Sequence, residues 1–379
     1  MKTVTETLMD LVSIPSVSNI SNRAVVEYAQ GRFDPAAWKV NVFPYQDSSG
    51  VDKFNLVALT NAGEGVDAEL GLVCHTDTVP FDDAWSEATA RVERDGNVWG
   101  RGSCDVKGFL ACILTAVSEI DVSSLRHKLA VVLTADEEVG CIGAKRLAAG
   151  EALRAKHIII GEPTGLTPVH AGKGYALGEI VVKGKEAHSA FPQLGRSAIR
   201  DAARVIARLD DVAKQLAASR DTNFDPPYTT LNVGLIRGGT AKNIVPGECR
   251  FLVEWRPIPG QPVEFAAGLI REQLASLARE LRGFEAEFEI QRMDPGFRRR
   301  AADVLRPLLE SVSGRNATTV AFGTEASHLA SICDEAVVFG PGDMNTAHRT
   351  GERVPVHELH ECVRILKEII ASFCRPGTR

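Results

Sequence analysis

Residues 70–77 read LGLVCHTD, a continuous apolar run that ends in a polar tripeptide. Apolar runs of this kind, without alternation, are typical of strands buried on both faces of a parallel sheet. Two similar runs, 128–134 and 157–161, are followed closely by acidic residues. Because these strands alternate with helical segments, we predict an α/β fold with a doubly wound, mostly parallel sheet whose strand ends meet at one crevice.

The spacing of hydrophobic residues predicts the helices and strands around these runs. A long loop is expected at 78–95. We predict helices at 4–12, 22–33, 108–120 and 143–149, and further strands at 38–43 and 55–60.

The pattern changes after Pro168. Strands predicted at 175–183, 230–236, 248–256 and 284–291 alternate with helices at 197–217 and 263–281, in the order βαββαβ. That order is ferredoxin-like, so we predict an inserted α+β domain at 170–291. The first domain, 1–169 and 292–379, then resumes with helices at 301–313 and 356–374 and strands at 318–321 and 336–340.

Composition excludes several classes of protein. The chain has 379 residues and a formal net charge of −6, which gives no basic surface for nucleic acid, and the FRRR run at 297–300 is expected to be solvated. The first ten residues lack the apolar core of a signal peptide, and no run reaches the ~18 apolar residues of a membrane span. Eight cysteines occur without a Cys-x-x-Cys pair, and we expect Cys74 and Cys104 to be small buried side chains. A cytoplasmic protein with no nucleic-acid or membrane partner is expected.

Five segments carry candidate metal ligands, and two of them come before the second buried run. His75 and Asp77 stand two apart at a strand end, so both side chains share one face, as a ligating imidazole and a carboxylate that fixes its tautomer. Alone, such a pair is more often a surface contact. Asp105 follows a glycine-rich turn, and the segment leaves two interpretations open: an N-cap of the next helix, or a carboxylate that bridges two cations.

Acidic residues follow the other two buried runs. Asp136, Glu137 and Glu138 repel one another unless cations compensate them, although a solvated acidic loop is the alternative for this tripeptide by itself. Glu162 in GEPT and His348 in NTAH add ligand capacity. Two imidazoles and several carboxylates at one crevice suit a pair of divalent cations, zinc first, and therefore a two-metal hydrolase.

The motifs HTDTVP at 75–80, GRGSCDVKG at 100–108, DEE at 136–138 and GEPT at 161–164 resemble those of the acetylornithine deacetylase, succinyl-diaminopimelate desuccinylase and glutamate carboxypeptidase family. The resemblance spans essentially the whole chain. It implies a homodimeric metal-dependent amide hydrolase whose insert is a dimerisation or lid domain. It also implies that one metal ion, zinc with cobalt or manganese as alternatives, is held by His75, Asp105 and Glu162, and a second by Asp105, Glu138 and His348.

The resemblance further implies the chemistry. A water activated by the two metals and by Glu137, the general base, attacks the acyl carbon, while Asp77 orients His75. His188 would stabilise the oxyanion across a dimer, and Asn243 and Arg256 would grip a substrate carboxylate. A serine or cysteine nucleophile has no support, because the chain has no Gly-x-Ser-x-Gly elbow, and the His357-x-x-His360 pair lacks a partner ligand.

The segment Gly323-Thr324-Glu325 is most similar to the acetylornithine deacetylase branch, which implies removal of acetate from N-acetyl-L-ornithine in arginine biosynthesis. Thr324 is a candidate substrate contact, and Glu325 would pair with the distal ammonium. Gly323 departs from the bulkier residue that relatives often carry, which leaves the pocket shape open. Acetylcitrulline, succinyl-diaminopimelate and other N-acyl amino acids are alternatives. A non-catalytic binding protein is another, although the retained Glu137 argues against it.

Overall fold

A computed structural model describes residues 2–61, 65–150, 152–298 and 303–375. Its helices are α1 Val4–Val12, α2 Arg23–Gln30, α3 Lys107–Ser118, α4 Ile142–Ala149, α5 Ala198–Leu216, α6 Phe265–Glu280, α7 Leu305–Ser313, α8 Ala326–Leu329 and α9 Val356–Cys374. Its strands are β1 Trp38–Gln46, β2 Asp52–Thr60, β3 Asp67–His75, β4 Val92–Arg94, β5 Asn97–Trp99, β6 Leu129–Thr134, β7 Arg154–Ile160, β8 Val169–Gly172, β9 Tyr175–Lys183, β10 Ala187–His188, β11 Thr230–Gly238, β12 Ile244–Val245, β13 Glu248–Arg256, β14 Glu285–Asp294, β15 Phe297–Arg298, β16 Thr318–Val320, β17 Cys333–Val338 and β18 Arg353–Pro355.

The chain separates into two compact units, which are described one at a time. Unit 1 comprises Met1–His170, Arg298–Thr318 and Thr324–Arg379, and unit 2 comprises Ala171–Phe297 and Thr319–Gly323.

Unit 1 is built on a sheet with the strand order β1-β2-β6-β3-β7-β17. The four strands β6, β3, β7 and β17 are parallel to one another, whereas β2 is antiparallel to both β1 and β6. Every residue of β6 is buried, as its unbroken apolar sequence predicts for a central parallel strand. The predicted α/β fold with a mostly parallel sheet is confirmed in these central strands.

Helices cover both faces of this sheet. Residues Leu70, Leu72 and Cys74 of β3 belong to the same buried cluster as the apolar sides of α1, α3 and α9. On the opposite face, Asn55 of β2 donates a hydrogen bond to the carbonyl of Gly143 in α4, at 3.0 Å. The two helical layers leave the ends of the parallel strands as the open edges of the unit.

Unit 2 is a four-stranded antiparallel sheet in the order β11-β13-β9-β14, packed against α5 and α6. The buried residues of α5 recur at helical spacing, and β9 alternates buried and half-buried positions, so each element buries one face. The predicted βαββαβ order is present.

Several boundaries differ from the sequence predictions. Unit 2 extends beyond the predicted limit at 291 because β14 continues to Asp294 past a bulge between Ile290 and Arg292. The predicted loop at 78–95 contains the short strand β4, which is fixed by pairing with β5 rather than by its own pattern. The predicted helix at 301–313 begins at Leu305 within the described residues, and residues 299–302 lie outside them. No described helix is both long and apolar enough to cross a membrane.

Candidate metal centre

Polar residues follow the carboxyl ends of three neighbouring parallel strands in unit 1. His75 is the last residue of β3, Asp136–Glu138 follow β6, and Glu162 follows β7. Because these ends meet at one edge of the sheet, residues far apart in sequence become neighbours. Asp105 lies just before α3, and His348 lies in the loop after β17.

The predicted ligands form two groups of three that share Asp105. In each group the candidate ligand atoms lie within 4.8 Å of one another, and the groups are His75, Asp105, Glu162 and Asp105, Glu138, His348. Asp105 presents one oxygen to each imidazole: Oδ1 is 3.1 Å from His75 Nε2, and Oδ2 is 3.0 Å from His348 Nε2. The N-cap position of α3 is Val106, without a side-chain cap, so Asp105 is not the N-cap that its sequence allowed.

The charges of this cluster are unbalanced. Burial raises the pKa of Glu137 to about 8 and also raises the pKa values of Glu138 and Glu162. Burial would raise the pKa of Asp105 as well, but hydrogen bonds from His348 and His75 outweigh it and hold that pKa well below its usual value. Those two imidazoles cannot compensate four carboxylates, so the residue set fits divalent cations, which would keep all of the acids ionised.

Asp77 connects His75 to the loop that carries the glutamates. The Nδ1 of His75 lies 3.0 Å from the main-chain carbonyl of Asp77 and 3.7 Å from its carboxylate. The carboxylate instead accepts hydrogen bonds from the backbone N–H groups of Glu137, at 3.0 Å, and Glu138, at 3.2 Å. The Asp77 carboxylate therefore mainly contacts the loop after β6, and the main-chain carbonyl is the part of Asp77 that lies closer to His75. The orientation of His75 by Asp77 stays a prediction.

The loop that carries Asp105 is held by a residue that sequence reasoning missed. Glu352 is fully buried and accepts hydrogen bonds from the backbone N–H groups of Cys104 and Asp105, both at 3.0 Å, while it pairs with Arg101. Burial raises the pKa of Glu352 to about 7. A lone arginine between two glycines, close to Cys104, which was predicted to be buried, was the available sign that a distant acid would be needed.

Thr324 and Glu325 also belong to unit 1 and are buried. The Thr324 hydroxyl accepts a hydrogen bond from the backbone N–H of Ala326 at 3.2 Å, at the start of α8. Neither carboxylate oxygen of Glu325 has a hydrogen-bond partner of normal length among the described residues. Burial raises the pKa of Glu325 to about 7, against the opposing effect of His75 and Thr134. Glu325 is thus a buried acid without a firm partner, and its predicted role stays a prediction.

The other predicted site residues lie in unit 2. His188 and Asn243 are exposed and adjacent, because β10 pairs with β12 and the N–H of Ser189 donates to the carbonyl of Asn243 at 3.0 Å. Arg256 ends β13 and is half-buried, with its guanidinium carbon 4.2 Å from the centre of the Tyr175 ring. Their contribution to the site in unit 1 stays a prediction.

Residues 71–372 match the sequence profile of peptidase family M20/M25/M40. Among curated proteins, an acetylornithine deacetylase from Myxococcus xanthus is 47% identical over 370 residues, which cover 97% of each chain. Another from Klebsiella pneumoniae strain 342 is 34% identical over 375 residues, which cover 96% of each chain.

Solved structures agree on the fold. A tripeptidase from Staphylococcus aureus superposes with a TM-score of 0.78 at 25% identity, over 98% of this chain and 97% of that chain. A family M20 metallo-carboxypeptidase from Sulfolobus solfataricus gives a TM-score of 0.76 at 19% identity, over 98% of this chain and 99% of that chain. The α/β fold that the sequence predicted is therefore shared with hydrolases.

Proposed function

The chain belongs to peptidase family M20/M25/M40, and on this premise we propose that it removes the acetyl group from N-acetyl-L-ornithine, giving L-ornithine and acetate. The observation that carries the proposal is the pair of three-residue groups that share Asp105, with Glu137 beside them. The substrate follows from the name of the Myxococcus xanthus relative. We further propose two divalent ions, with zinc first and cobalt or manganese also suited to this donor set, and a cytoplasmic location.

The residues around the shared aspartate have distinct tasks in this proposal. His75, Asp105 and Glu162 would hold one ion, and Asp105, Glu138 and His348 the other. When bound, such ions lower the pKa of water and polarise an acyl oxygen. Glu137 accepts the proton of the attacking water and delivers it to the leaving amine nitrogen, while Asp77 fixes the backbone of Glu137.

Unit 2 would supply the substrate contacts. We propose that Arg256 binds the α-carboxylate, that Asn243 donates to it, and that His188 stabilises the oxyanion of the tetrahedral species. The stacking of Arg256 on Tyr175 supports this role, because it orients the guanidinium, and the acid that Arg256 contacts among the described residues, Glu254, lies at a long 3.6 Å. Thr324 and Glu325 of unit 1 would complete the recognition, Glu325 at the distal ammonium.

A homodimer through unit 2 is part of the proposal. The strand β11 forms one edge of its sheet and exposes Leu235 and Ile236 by 44% and 49%. An exposed apolar edge strand is a template for pairing with another chain. Light scattering should give the mass of a dimer for the wild type and of a monomer for Ile236→Lys, and a monomeric wild type would exclude the dimer.

Acetate release from N-acetyl-L-ornithine tests the proposed function. The wild type should release acetate, lose this activity in a chelator and regain it with added Zn²⁺, Co²⁺ or Mn²⁺. N-acetylcitrulline and N-succinyl-diaminopimelate are the comparison substrates, and a higher kcat/KM on either would reassign the substrate within the family. A protein that contains no metal and cleaves none of them would instead be a binding protein of the same fold.

A further inference from the structure

Two polar side chains of β2 are buried on the face of the sheet covered by α4. Lys53 and Asn55 stand two residues apart, so their side chains share that face, and each is only 1% exposed. Such groups are costly to bury without partners. Asn55 accepts a hydrogen bond from the backbone N–H of Ala135 at 3.0 Å, at the point where β6 ends. The polar face of β2 is therefore directed at the end of β6.

Lys53 forms an ion pair with Asp136, the residue after Ala135. Its Nζ lies 2.8 Å from Oδ1 of Asp136, which is fully buried. The Tyr45 hydroxyl donates to the other oxygen, Oδ2, at 2.9 Å. Asp136 has a φ of 58°, a left-handed conformation that is unfavourable for a residue other than glycine. The ion pair therefore secures a strained backbone immediately before Glu137 and Glu138.

The same lysine also supports the second anchor of this loop. Lys53 Nζ donates to the carbonyl of Ser18, whose hydroxyl donates to Oδ2 of Asp77 at 2.7 Å. The Asp77 carboxylate in turn accepts the N–H groups of Glu137 and Glu138. One buried cation thus links the side-chain anchor at Asp136 and the backbone anchor at Asp77.

We propose that Lys53 is a positioning residue for the loop at 136–138. Its ion pair with Asp136, completed by the Tyr45 hydroxyl, fixes the direction in which Glu137 and Glu138 leave the end of β6. Lys53 acts through Asp136 and Ser18, not on the substrate. The part that concerns Glu137 rests on the proposed function, whereas the part that concerns Glu138 needs only its place among the candidate ligands.

The test neutralises both members of the Lys53–Asp136 ion pair in the same variant. Lys53→Met alone would leave a buried carboxylate uncompensated, so the informative variant is K53M/D136N. We expect its melting temperature to stay within a few degrees of wild type, its KM to stay unchanged, and its kcat to fall about tenfold to a hundredfold, because a small misplacement of a catalytic group is enough for such a loss. Tyr45→Phe removes a single hydroxyl, so we expect it to fold and to lower kcat about threefold.

A matched control separates this effect from the loss of any ion pair. Lys156 and Glu69 form a pair of the same length, 2.8 Å, in the same unit, but the Lys156 side chain is 62% exposed. Lys156→Met with Glu69→Gln should leave kcat, KM and ion binding unchanged. If this control lowers kcat as much as K53M/D136N, the effect is not specific to the loop.

Cation affinity gives a readout that is independent of the substrate. Titration of the metal-free protein with Zn²⁺ against a chromophoric chelator should show that K53M/D136N binds one of two ions about tenfold more weakly, because Glu138 belongs to only one of the two groups that share Asp105. If wild type leaves N-acetyl-L-ornithine uncut, the proposed function fails but this measurement still decides the positioning role. The positioning role would be overturned if both Tyr45→Phe and the folded double variant had the kcat and the cation affinity of the wild type. If the double variant does not fold, the result for Tyr45→Phe decides alone.

Discussion

The predicted site residues of unit 1 and unit 2 are held in different ways. In unit 1, Glu137 and Asp105 lie in a buried network in which their backbones are fixed by Asp77 and Glu352. In unit 2, His188 is exposed, and its ring accepts a hydrogen bond from the backbone N–H of Ala190 at 3.1 Å, the one hydrogen bond to this ring among the described residues. Preorganised groups serve the chemical step, whereas loosely held groups can adjust to a substrate. Substitutions in unit 1 should therefore lower kcat most, and those in unit 2 should act more on binding.

The largest effect is expected at the general base. Glu137→Gln keeps the shape of the side chain but cannot accept a proton, so kcat should fall by about 10³-fold with little change in fold or metal content. Steady-state acetate release and elemental analysis measure the two quantities. Glu138→Gln is the neighbouring control, and it should also lose bound metal because Glu138 is a candidate ligand. If the kcat of Glu137→Gln were within tenfold of the wild-type value, Glu137 would not be the general base.

His188 is the residue of unit 2 that tests the contrast between the two units most directly. His188→Ala should lower kcat about 10²-fold if the imidazole stabilises the oxyanion. If it acts in the partner subunit, mixing this variant with Glu137→Gln should restore about a quarter of wild-type activity in a 1:1 mixture, since half of the dimers are mixed and each contains one complete site. An absence of recovery, with subunit exchange verified by mass, would place His188 in the site of its own subunit.

The sequence predicted the positions of the candidate ligands of unit 1 better than those of the residues that support them. His75, Glu162 and the glutamates after β6 follow long apolar runs, so period and position alone bring them to one edge of the sheet. Ser18 lies 59 residues from Asp77, and Glu352 lies 247 residues from Asp105, and no local pattern links such pairs. The three-residue strands β4, β5 and β18 were missed for the same reason, because only their pairing defines them. The candidate residues of unit 2 came from family resemblance, since exposed positions carry no periodic signal.

Arg256 is expected to affect binding rather than turnover. Arg256→Lys removes the bidentate fork while keeping the charge, so KM should rise about tenfold with kcat within threefold of wild type. Initial rates over a range of N-acetyl-L-ornithine concentrations give both constants. Arg250→Lys, on the same strand and paired with Glu248 at the surface, is the control and should change neither. An equal fall in kcat at Arg256 would mean that this residue of unit 2 is as tightly coupled to chemistry as those of unit 1.

Glu325 should affect the choice of substrate. Its carboxylate oxygens have no hydrogen-bond partner of normal length in the part of the chain that the structure describes, and they would pair with the distal ammonium of N-acetylornithine, which N-acetylnorvaline lacks. Glu325→Gln should reduce the kcat/KM preference for acetylornithine over acetylnorvaline by about tenfold, the usual size of one charge-assisted contact. The ratio is measured with both substrates in competition. An unchanged preference would assign this buried acid of unit 1 to support of the site and not to recognition.

The smallest effect on activity is expected at Glu335, in a buried network of unit 1 at the opposite ends of the strands. Its carboxylate accepts the backbone N–H groups of Val304, Leu305 and Arg306, at 2.8–3.0 Å, and lies 3.1 Å from Nδ1 of His157. Burial opposes its charge, but the His157 contact and the helix N–H groups outweigh burial and lower the pKa of Glu335 to about 2. The carboxylate therefore holds the start of α7, a task of stability alone.

Glu335→Gln should leave kcat and KM unchanged and lower the free energy of unfolding at pH 7 by about 1–3 kcal/mol, because a charged acceptor is lost at three N–H groups. Since the folded pKa is lowered, the contribution is fully present above the unfolded value of about 4.3 and disappears as the pH falls from there to about 2. Urea unfolding of both proteins between pH 3 and pH 7 should show the difference shrinking on the acid side. Glu361→Gln, in an exposed pair with Arg364, is the control and should change stability by less than about 0.5 kcal/mol. Two outcomes would contradict this assignment: a difference in the free energy of unfolding that does not depend on pH, or a loss of kcat in Glu335→Gln. Either would show that burial in a charged network does not by itself distinguish structural residues from catalytic residues in this unit.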